Sequence, residues 1–360
     1  MYTKNDIAVI WIDLFDFITT KKKLEILNAF DEPSNIFDDF ENSYNVLKNY
    51  VTNEQFSKMK LLIDSQYIKN HILGLESQGI KIITYLSEEF PQQFLNFDDQ
   101  PIILYCKGDV SLLKSQCLAV VGTRKPTIYG KSVTEKLVKE IASAGITIVS
   151  GLADGIDTVA HTSALAVNGK TIAVMGSGFN EIYPSRNYEL EKEIEKKGLV
   201  ITEYLPNIGP QHWHYPVRNR IIAGLSKGVL ITEASLKSGT MHTRDYALEY
   251  GIDIYAVPGE ITCYASSGTN NIIKSCQSSL VTCADDILQN FNVVTKAIPV
   301  SSIQLSLEEQ AVLNVLDGET HFDEIQIQTK IDTKTLITLL TTMELRGIIK
   351  KLTGNYYTKC

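Results

Sequence analysis

"VVGTRKPTIYGK", residues Val120–Lys131, decides the fold of this chain. An apolar run, Cys117-Leu118-Ala119-Val120-Val121, stops at Gly122, a Thr-Arg-Lys-Pro turn follows, and Gly130-Lys131-Ser132 opens a helical pattern. Strand, glycine turn and helix together build an anion site, because the first amides of a helix have no intrahelical partner. Spacing then sets which anion. A triphosphate loop reads G-x-x-x-x-G-K-[ST]. Here Gly122 lies eight positions before Gly130 instead of five, and Pro126 removes an amide from the cradle. No strand ending in Asp offers a magnesium carboxylate; the nearest is "VLITE", ending at Glu233. A dinucleotide site needs G-x-G-x-x-G and an acid after the second strand. The second strand ends in Ser150-Gly151, and Glu181 stands where a third glycine should follow Gly176-Ser177-Gly178. No cofactor is expected.

Working outward, similar short apolar runs recur at Ile146–Val149, Thr171–Met175, Leu199–Glu203, Gly228–Thr232 and Ile252–Val257, most of them separated by helical patterns. Strands that are apolar on both faces and alternate with helices predict a parallel sheet covered on both sides. The expected fold class is α/β, a Rossmann-like, doubly wound, mostly parallel sheet over residues 76–290, with its ligand at the C-terminal strand ends. Residues 1–75, as in "NEQFSKMKLLIDSQYI", show helical spacing and predict a small helical domain. Residues 291–304 read as a linker. Residues 305–360 carry a Ser306–Glu309 capping box, a second helical stretch, Asp332 as N-cap of a third, and a hairpin turning near Gly354-Asn355. That is a winged helix.

The net charge of −8 is unevenly distributed. Residues 1–104 hold 9 Lys and Arg against 16 Asp and Glu, whereas residues 105–290 hold 18 of each. A neutral central domain can still present one basic face. No apolar run approaches membrane-spanning length, and the first residues lack a signal-peptide pattern. The six cysteines form no C-x-x-C pair, which fits reduced thiols in the cytoplasm.

Catalytic patterns are sparse. Asp157 and His161, four apart on a helical stretch, read as a capping and packing pair, and His212-Trp213-His214 as an aromatic–polar loop without companion metal ligands. What remains is a set of turns rich in glycine, hydroxyl and basic groups: Gly122-Thr123-Arg124, Ser150-Gly151, Gly169-Lys170, "HWHYPVRNR" (212–220) and "LKSGTMHTR" (236–244). Guanidinium and ammonium groups neutralise a phosphate chain, and Trp213 and Tyr215 can stack exposed bases. Arg124, Lys170, Arg218 and Arg220 are expected to line one groove.

Six motifs in order across about residues 80–285 resemble the DNA-processing protein A family, also called Smf: "GTR", "SGLADGIDTVAH", "GSGFNEIYPSRN", "YPVRNRIIAGLS", "SGTMHTRDYALEYGIDIYAVPG" and "SSGTNNIIK". The resemblance implies a homodimeric single-stranded DNA-binding protein of natural transformation that is not an enzyme. It would protect incoming strands, help displace single-strand binding protein and load RecA recombinase. The resemblance carries a basic pocket onto Arg124, Lys170, Arg218 and Arg220, and further onto Lys237, Ser238, Gly239, Thr240 and Lys274; the turns above add Gly122, Thr123, Ser150, Gly151, Trp213, Tyr215 and Asn219 to the expected DNA-binding set. Ile261, Tyr264, Ile272 and Ile273 would form the dimer patch. Two departures stand out: Tyr215 where the family has Phe, and "MHTR" (241–244) where it has Leu-Ile-Thr-Ala, which adds Arg244 near the pocket. An alternative of similar fold is the nucleotide phosphoribohydrolases (lysine decarboxylase-like), whose signature places Glu where Thr243 stands.

Overall fold

All six apolar runs of the central sequence are strands in the computed structural model. It describes residues 2–38, 40–63, 65–291, 305–316, 318–345, 348–352 and 354–359. Nine strands form the main sheet: β1 Lys81–Thr84, β2 Ile103–Gly108, β3 Cys117–Val121, β4 Thr147–Ser150, β5 Thr171–Val174, β6 Leu199–Thr202, β7 Gly228–Ile231, β8 Asp253–Ala256 and β9 Ser279–Leu280. Their spatial order is β1-β2-β6-β5-β4-β3-β7-β8-β9. Strands β6 to β9 pair in parallel, while β2 joins β6 antiparallel and β1 joins β2 antiparallel. The chain winds outward from β3 through β4 to β6, then returns to lay β7 against the other side of β3. This reversal opens a crevice at the C-terminal ends of β3 and β7.

Strand alternation explains the two covered faces. On β3, Leu118 and Val120 face a core shared with α7 (Ile128–Ser143), α8 (Ile156–Ala166) and α13 (Asp285–Leu288). Cys117, Ala119 and Val121 face the opposite core, with α10 (His214–Gly224), α11 (Thr240–Glu249) and α12 (Ser267–Lys274). Both sets are buried, so each strand is apolar throughout. Helix α9 (Tyr188–Lys197) links β5 to β6.

The N-terminal helices are α1 Lys4–Asp13, α2 Thr20–Asn28, α3 Asn35–Asp38, α4 Phe40–Leu47, α5 Asn53–Leu61 and α6 Ser65–Ser77. Trp11 is fully buried, with Phe15, Phe37 and Phe40 edge-on around it. Ile82, Ile103, Tyr105 and Val200 of the sheet belong to the same core. The Tyr105 hydroxyl donates to Asp13 at 2.8 Å, and Asp13 also holds Lys23 at 2.9 Å. Residues Met1–Val294 accordingly make one compact unit, and the boundary drawn near residue 75 falls inside it.

The second unit spans Thr295–Cys360. It contains α14 Leu307–Val315, α15 Phe322–Thr329 and α16 Thr333–Leu345, with a sheet of β10 Thr320–His321, β11 Ile349–Lys351 and β12 Tyr356–Lys359. Ser306 and Glu309 form the reciprocal capping box, and Asp332 accepts from the Thr335 amide at 3.1 Å. Gly354 and Asn355 take φ of +78° and +60° in the wing turn, the backbone a tight hairpin requires. The expected linker lies, apart from Phe291, outside the described residues.

Candidate nucleic-acid interface

The phosphate site suggested by the opening stretch is already filled. Thr127 caps α7, its side chain accepting from the Gly130 amide at 3.0 Å. Glu233, just past β7, accepts from the Thr127 amide at 2.7 Å and its hydroxyl at 2.6 Å. Glu233 is 1% exposed, and a Cβ at Gly130 would stand 2.5 Å from its Oε2. A carboxylate of the chain therefore sits where a ligand phosphate would meet this helix.

Beside it, at the reversal between β3 and β7, lies an open cleft of about 770 Å³. Its wall includes Gly122, Thr123, Arg124 and Lys125 after β3, Tyr215, Arg218 and Asn219 on α10, and Ser238, Gly239 and Thr240 at the start of α11. The Thr123 amide donates to the Glu233 carbonyl at 2.7 Å, tying the two strand ends together. Ser238 Oγ lies 2.9 Å from Thr240 Oγ1, so two hydroxyls stand at the α11 N-terminus.

The two cleft arginines differ. Arg124 is exposed, stands 5.4 Å from the Tyr215 ring centre, and has no carboxylate within ion-pair distance among the described residues. Arg218 is 3% exposed and anchored from below. Its Nη1 donates to the carbonyls of Gly151 (2.7 Å) and Val174, and its Nε donates to Asn219 at 3.2 Å. Burial pushes its pKa below the arginine range and the buried Asp157 carboxylate pulls it back, but a guanidinium keeps its proton in either case. Asp157 accepts from the Gly151 amide at 3.1 Å and the Ala153 amide at 3.4 Å. A Cβ at Gly151 would lie 2.5 Å from Arg218 Nη2 and 2.7 Å from Asp157 Oδ2, so only glycine admits both.

Tyr215 lies between these cations, with Arg218 5.9 Å and Tyr183 6.0 Å from its ring centre. Its hydroxyl is buried without a hydrogen-bond partner among the described residues. Burial raises its pKa, opposed by Arg218 and Arg124. Trp213, 66% exposed, immediately precedes α10, between cleft residues His212 and Tyr215.

Several expected residues lie elsewhere. Lys170 precedes β5, at the N-terminal edge of the sheet, and its Nζ donates to the Lys197 carbonyl at 3.0 Å. The cleft is at the opposite edge, so Lys170 cannot line it. Arg220 is two positions from Arg218 on a helix, hence about 200° around it. It is buried, 2.5 Å from Glu203 and 4.0 Å from Asp99. Burial disfavours its charge, but Glu203 and Asp99 outweigh that and hold its pKa above the usual value. Arg220 is a structural ion-pair partner. The Ser150 hydroxyl donates to the Val120 carbonyl at 2.7 Å, and Gly151 backs Arg218; neither lines the cleft. Lys237 and Lys274 are exposed but outside its wall. Arg244 is engaged by Asp245 at 2.7 Å and Gln277 at 3.1 Å, so it adds no free charge there. Of the apolar patch, Ile272 is fully buried and Ile273 packs on the same core, leaving Ile261 (94% exposed) and Tyr264 (67%).

The stretch read as a loop around His212-Trp213-His214 begins α10 at His214. Pro216 is the third helical residue, where no amide partner is lost. His214 is buried, bonds the Gly176 carbonyl at 3.2 Å and stacks on Tyr204, and no metal-holding cluster occurs among the described residues. His161 is buried against Thr171 at 2.7 Å; burial and then the Arg218 charge push its pKa down to about 3. Tyr183, Gln211, Ser235 and His242 also line the cleft, brought there by the fold of segments whose sequence carries no binding motif at those positions.

Fold and site define the class: a doubly wound α/β protein with an open cationic and aromatic cleft at its switch point, followed by a winged helix. A family model for DNA recombination-mediator protein A matches residues 81–292, and one for the DprA winged helix domain matches 297–355. The chain is 37% identical over 300 residues to protein Smf of Escherichia coli, covering 80% of each. It is 40% identical over 219 residues to DNA processing protein DprA of Bacillus subtilis, covering 61% of this chain and 73% of that one. The X-ray structure of DprA from Streptococcus pneumoniae superimposes with a TM-score of 0.69 at 32% identity, over 80% of this chain and 98% of that one. The DprA structure from Helicobacter pylori, described for its single-stranded DNA binding mode, gives 0.54 at 32% identity, over 59% and 95%. The chain belongs to the DNA recombination-mediator protein A family, the DprA/Smf proteins.

Proposed function

We propose that this protein binds single-stranded DNA in the switch-point cleft, without sequence preference. The observation that carries the reading is Arg124, an exposed cation with no carboxylate partner among the described residues, beside Tyr215 and above the anchored Arg218. Phosphates meet the guanidinium groups while bases meet aromatic faces, and phosphate contacts carry no base information. The single-stranded DNA binding of the Helicobacter pylori relative supports the same role here.

The rest of the reading follows from family membership. The protein acts in the cytoplasm as a homodimer, protects single strands during natural transformation, helps displace single-strand binding protein and loads RecA recombinase. It works by binding and not as an enzyme. The phosphoribohydrolase alternative is disfavoured by Thr243, which is 1% exposed in the cleft wall where that chemistry needs a Glu.

The test is a salt-titrated binding assay with single- and double-stranded oligonucleotides of one sequence, run beside nucleotide and nucleoside-monophosphate hydrolysis. Preferential single-strand binding that weakens with salt, without turnover, is expected. Turnover that Arg124→Ala abolishes, or equal and salt-insensitive binding of both forms, refutes the proposal.

A further inference from the structure

A second cleft opens next to the first. It has a volume of about 480 Å³, and its wall includes Lys107 on β2, Phe179 and Asn180 after β5, and Ser185, Tyr188 and Lys192 at and before α9. One loop walls both cavities: Tyr183 lines the first, and Ile182 and Ser185 line the second. Tyr183 is 52% exposed and Tyr188 48% exposed, so two aromatic faces lie open along that loop. Tyr215 lies 6.0 Å from Tyr183, so the aromatic surface of the first cleft reaches this loop, and Tyr188 stands in the wall of the second cleft five residues further along it.

The charges decide what this surface can hold. Lys107 Nζ stands 5.0 Å from the Phe179 ring centre and has no carboxylate within ion-pair distance among the described residues. Lys192 Nζ lies 5.6 Å from the Tyr188 ring centre but is engaged by Glu195 at 2.8 Å and Glu191 at 3.4 Å. Glu191 feels the Lys107 charge without pairing with it, so the second cleft offers one ammonium outside any ion pair among the described residues and one open stacking face. That suits one or two nucleotides of a flexible strand and not a stiff duplex, whose bases are already stacked.

We propose that a single strand held in the switch-point cleft continues along the 179–188 loop into this second cleft. There Tyr188 stacks a base and Lys107 meets a phosphate. The proposal rests on the single-stranded DNA reading of the first cleft.

Binding of labelled oligothymidylates of about 6 and about 20 nucleotides, which bracket the site sizes of many single-strand-binding folds, tests it. Tyr188→Ala should weaken the longer oligomer by about 5- to 150-fold, the value of one stacked base, and leave the shorter unchanged. Lys107→Ala should make the salt slope of the longer oligomer less negative by about 0.7, one phosphate, with Lys107→Arg restoring it. Arg124→Ala should weaken both lengths. If Tyr188→Ala and Lys107→Ala leave the longer oligomer unchanged while Arg124→Ala weakens both, the path does not cross the second cleft. Equal weakening of both lengths by Tyr188→Ala also overturns the extended path. If the unaltered protein binds neither oligomer, the reading of the first cleft fails and this one fails with it. Thermal melting of each variant separates lost contacts from lost fold.

Discussion

Replacing Arg124 by Ala should remove one phosphate contact without disturbing the fold. The side chain is exposed, and among the described residues its guanidinium meets no carboxylate, only the Tyr215 face at 5.4 Å. Losing an exposed cation–π contact costs about 0.5–1 kcal/mol, and surface substitutions usually stay near ±0.5 kcal/mol, so melting should scarcely shift. Binding is different. A hydrogen bond to a charged group contributes about 1.5–3 kcal/mol, which is roughly a 10- to 150-fold rise in Kd. The log–log salt slope should become less negative by about 0.7, the increment for one phosphate of a single strand. Arg124→Lys should keep the slope but recover only part of the affinity, because an ammonium lacks the two-pronged geometry of guanidinium. Fluorescence anisotropy with an oligothymidylate across a salt series reads both quantities. A folded Arg124→Ala protein with unchanged Kd and unchanged slope would place the strand elsewhere.

Arg220→Ala should behave oppositely, because it leaves Glu203 buried without its partner. It should lower unfolding stability by about 3–5 kcal/mol in urea titrations, while the folded fraction binds DNA with the original salt slope. His161 predicts a pH effect: its folded pKa is about 3, so the unfolded chain takes up the proton first and stability falls as pH drops below the ordinary histidine range. Between pH 7.5 and 5.5 its share of that slope, at most about 1.4 kcal/mol per pH unit, should vanish in His161→Gln, and an unchanged slope would show the proton goes elsewhere. Asp157, whose pKa is raised by burial, works the other way, but it is present in both proteins, so the difference between their slopes belongs to His161. Ile261→Glu should shift sedimentation toward the monomer, with melting little changed because Ile261 is 94% exposed; a persistent dimer would move the interface off this loop.

The sheet was legible because both of its faces are covered. A strand such as Leu118-Ala119-Val120-Val121 has no polar side to confuse with a helix, and short length separates it from helical runs. Strand β9, two residues long and exposed, carries no such signal, and neither does β10. Site assignments failed where they depended on direction or rotation. Lys170 is beside a strand end, but the N-terminal one, and only the C-terminal edge holds the cleft. Arg218 and Arg220 diverge because α10 is helical from His214, a pattern that Pro216 disguises in sequence. Ile272 shares its stretch with the exposed Ile261 and Tyr264, yet a helix turns it into the core.

Glu233 explains why the same local pattern serves a polymer better than a nucleotide. Strand, glycine turn and helix are all present, but the α7 N-terminus is closed by a carboxylate whose charge repels a phosphate at that point. Cationic capacity lies instead on the neighbouring surfaces, where Arg124 and Lys125 are exposed. Arg218 supports them from beneath: two backbone carbonyls hold Nη1 and Asn219 holds Nε, while Nη2 makes no hydrogen bond among the described residues. A deep, fixed guanidinium under exposed surface cations fits a backbone whose phosphates pass across an opening. A compact triphosphate would instead need several amides converging on one point, and Glu233 already engages the Thr127 amide at that point. The chemistry of the cleft therefore follows from a residue 106 positions further along the chain from Thr127, which no local motif in the opening stretch could disclose.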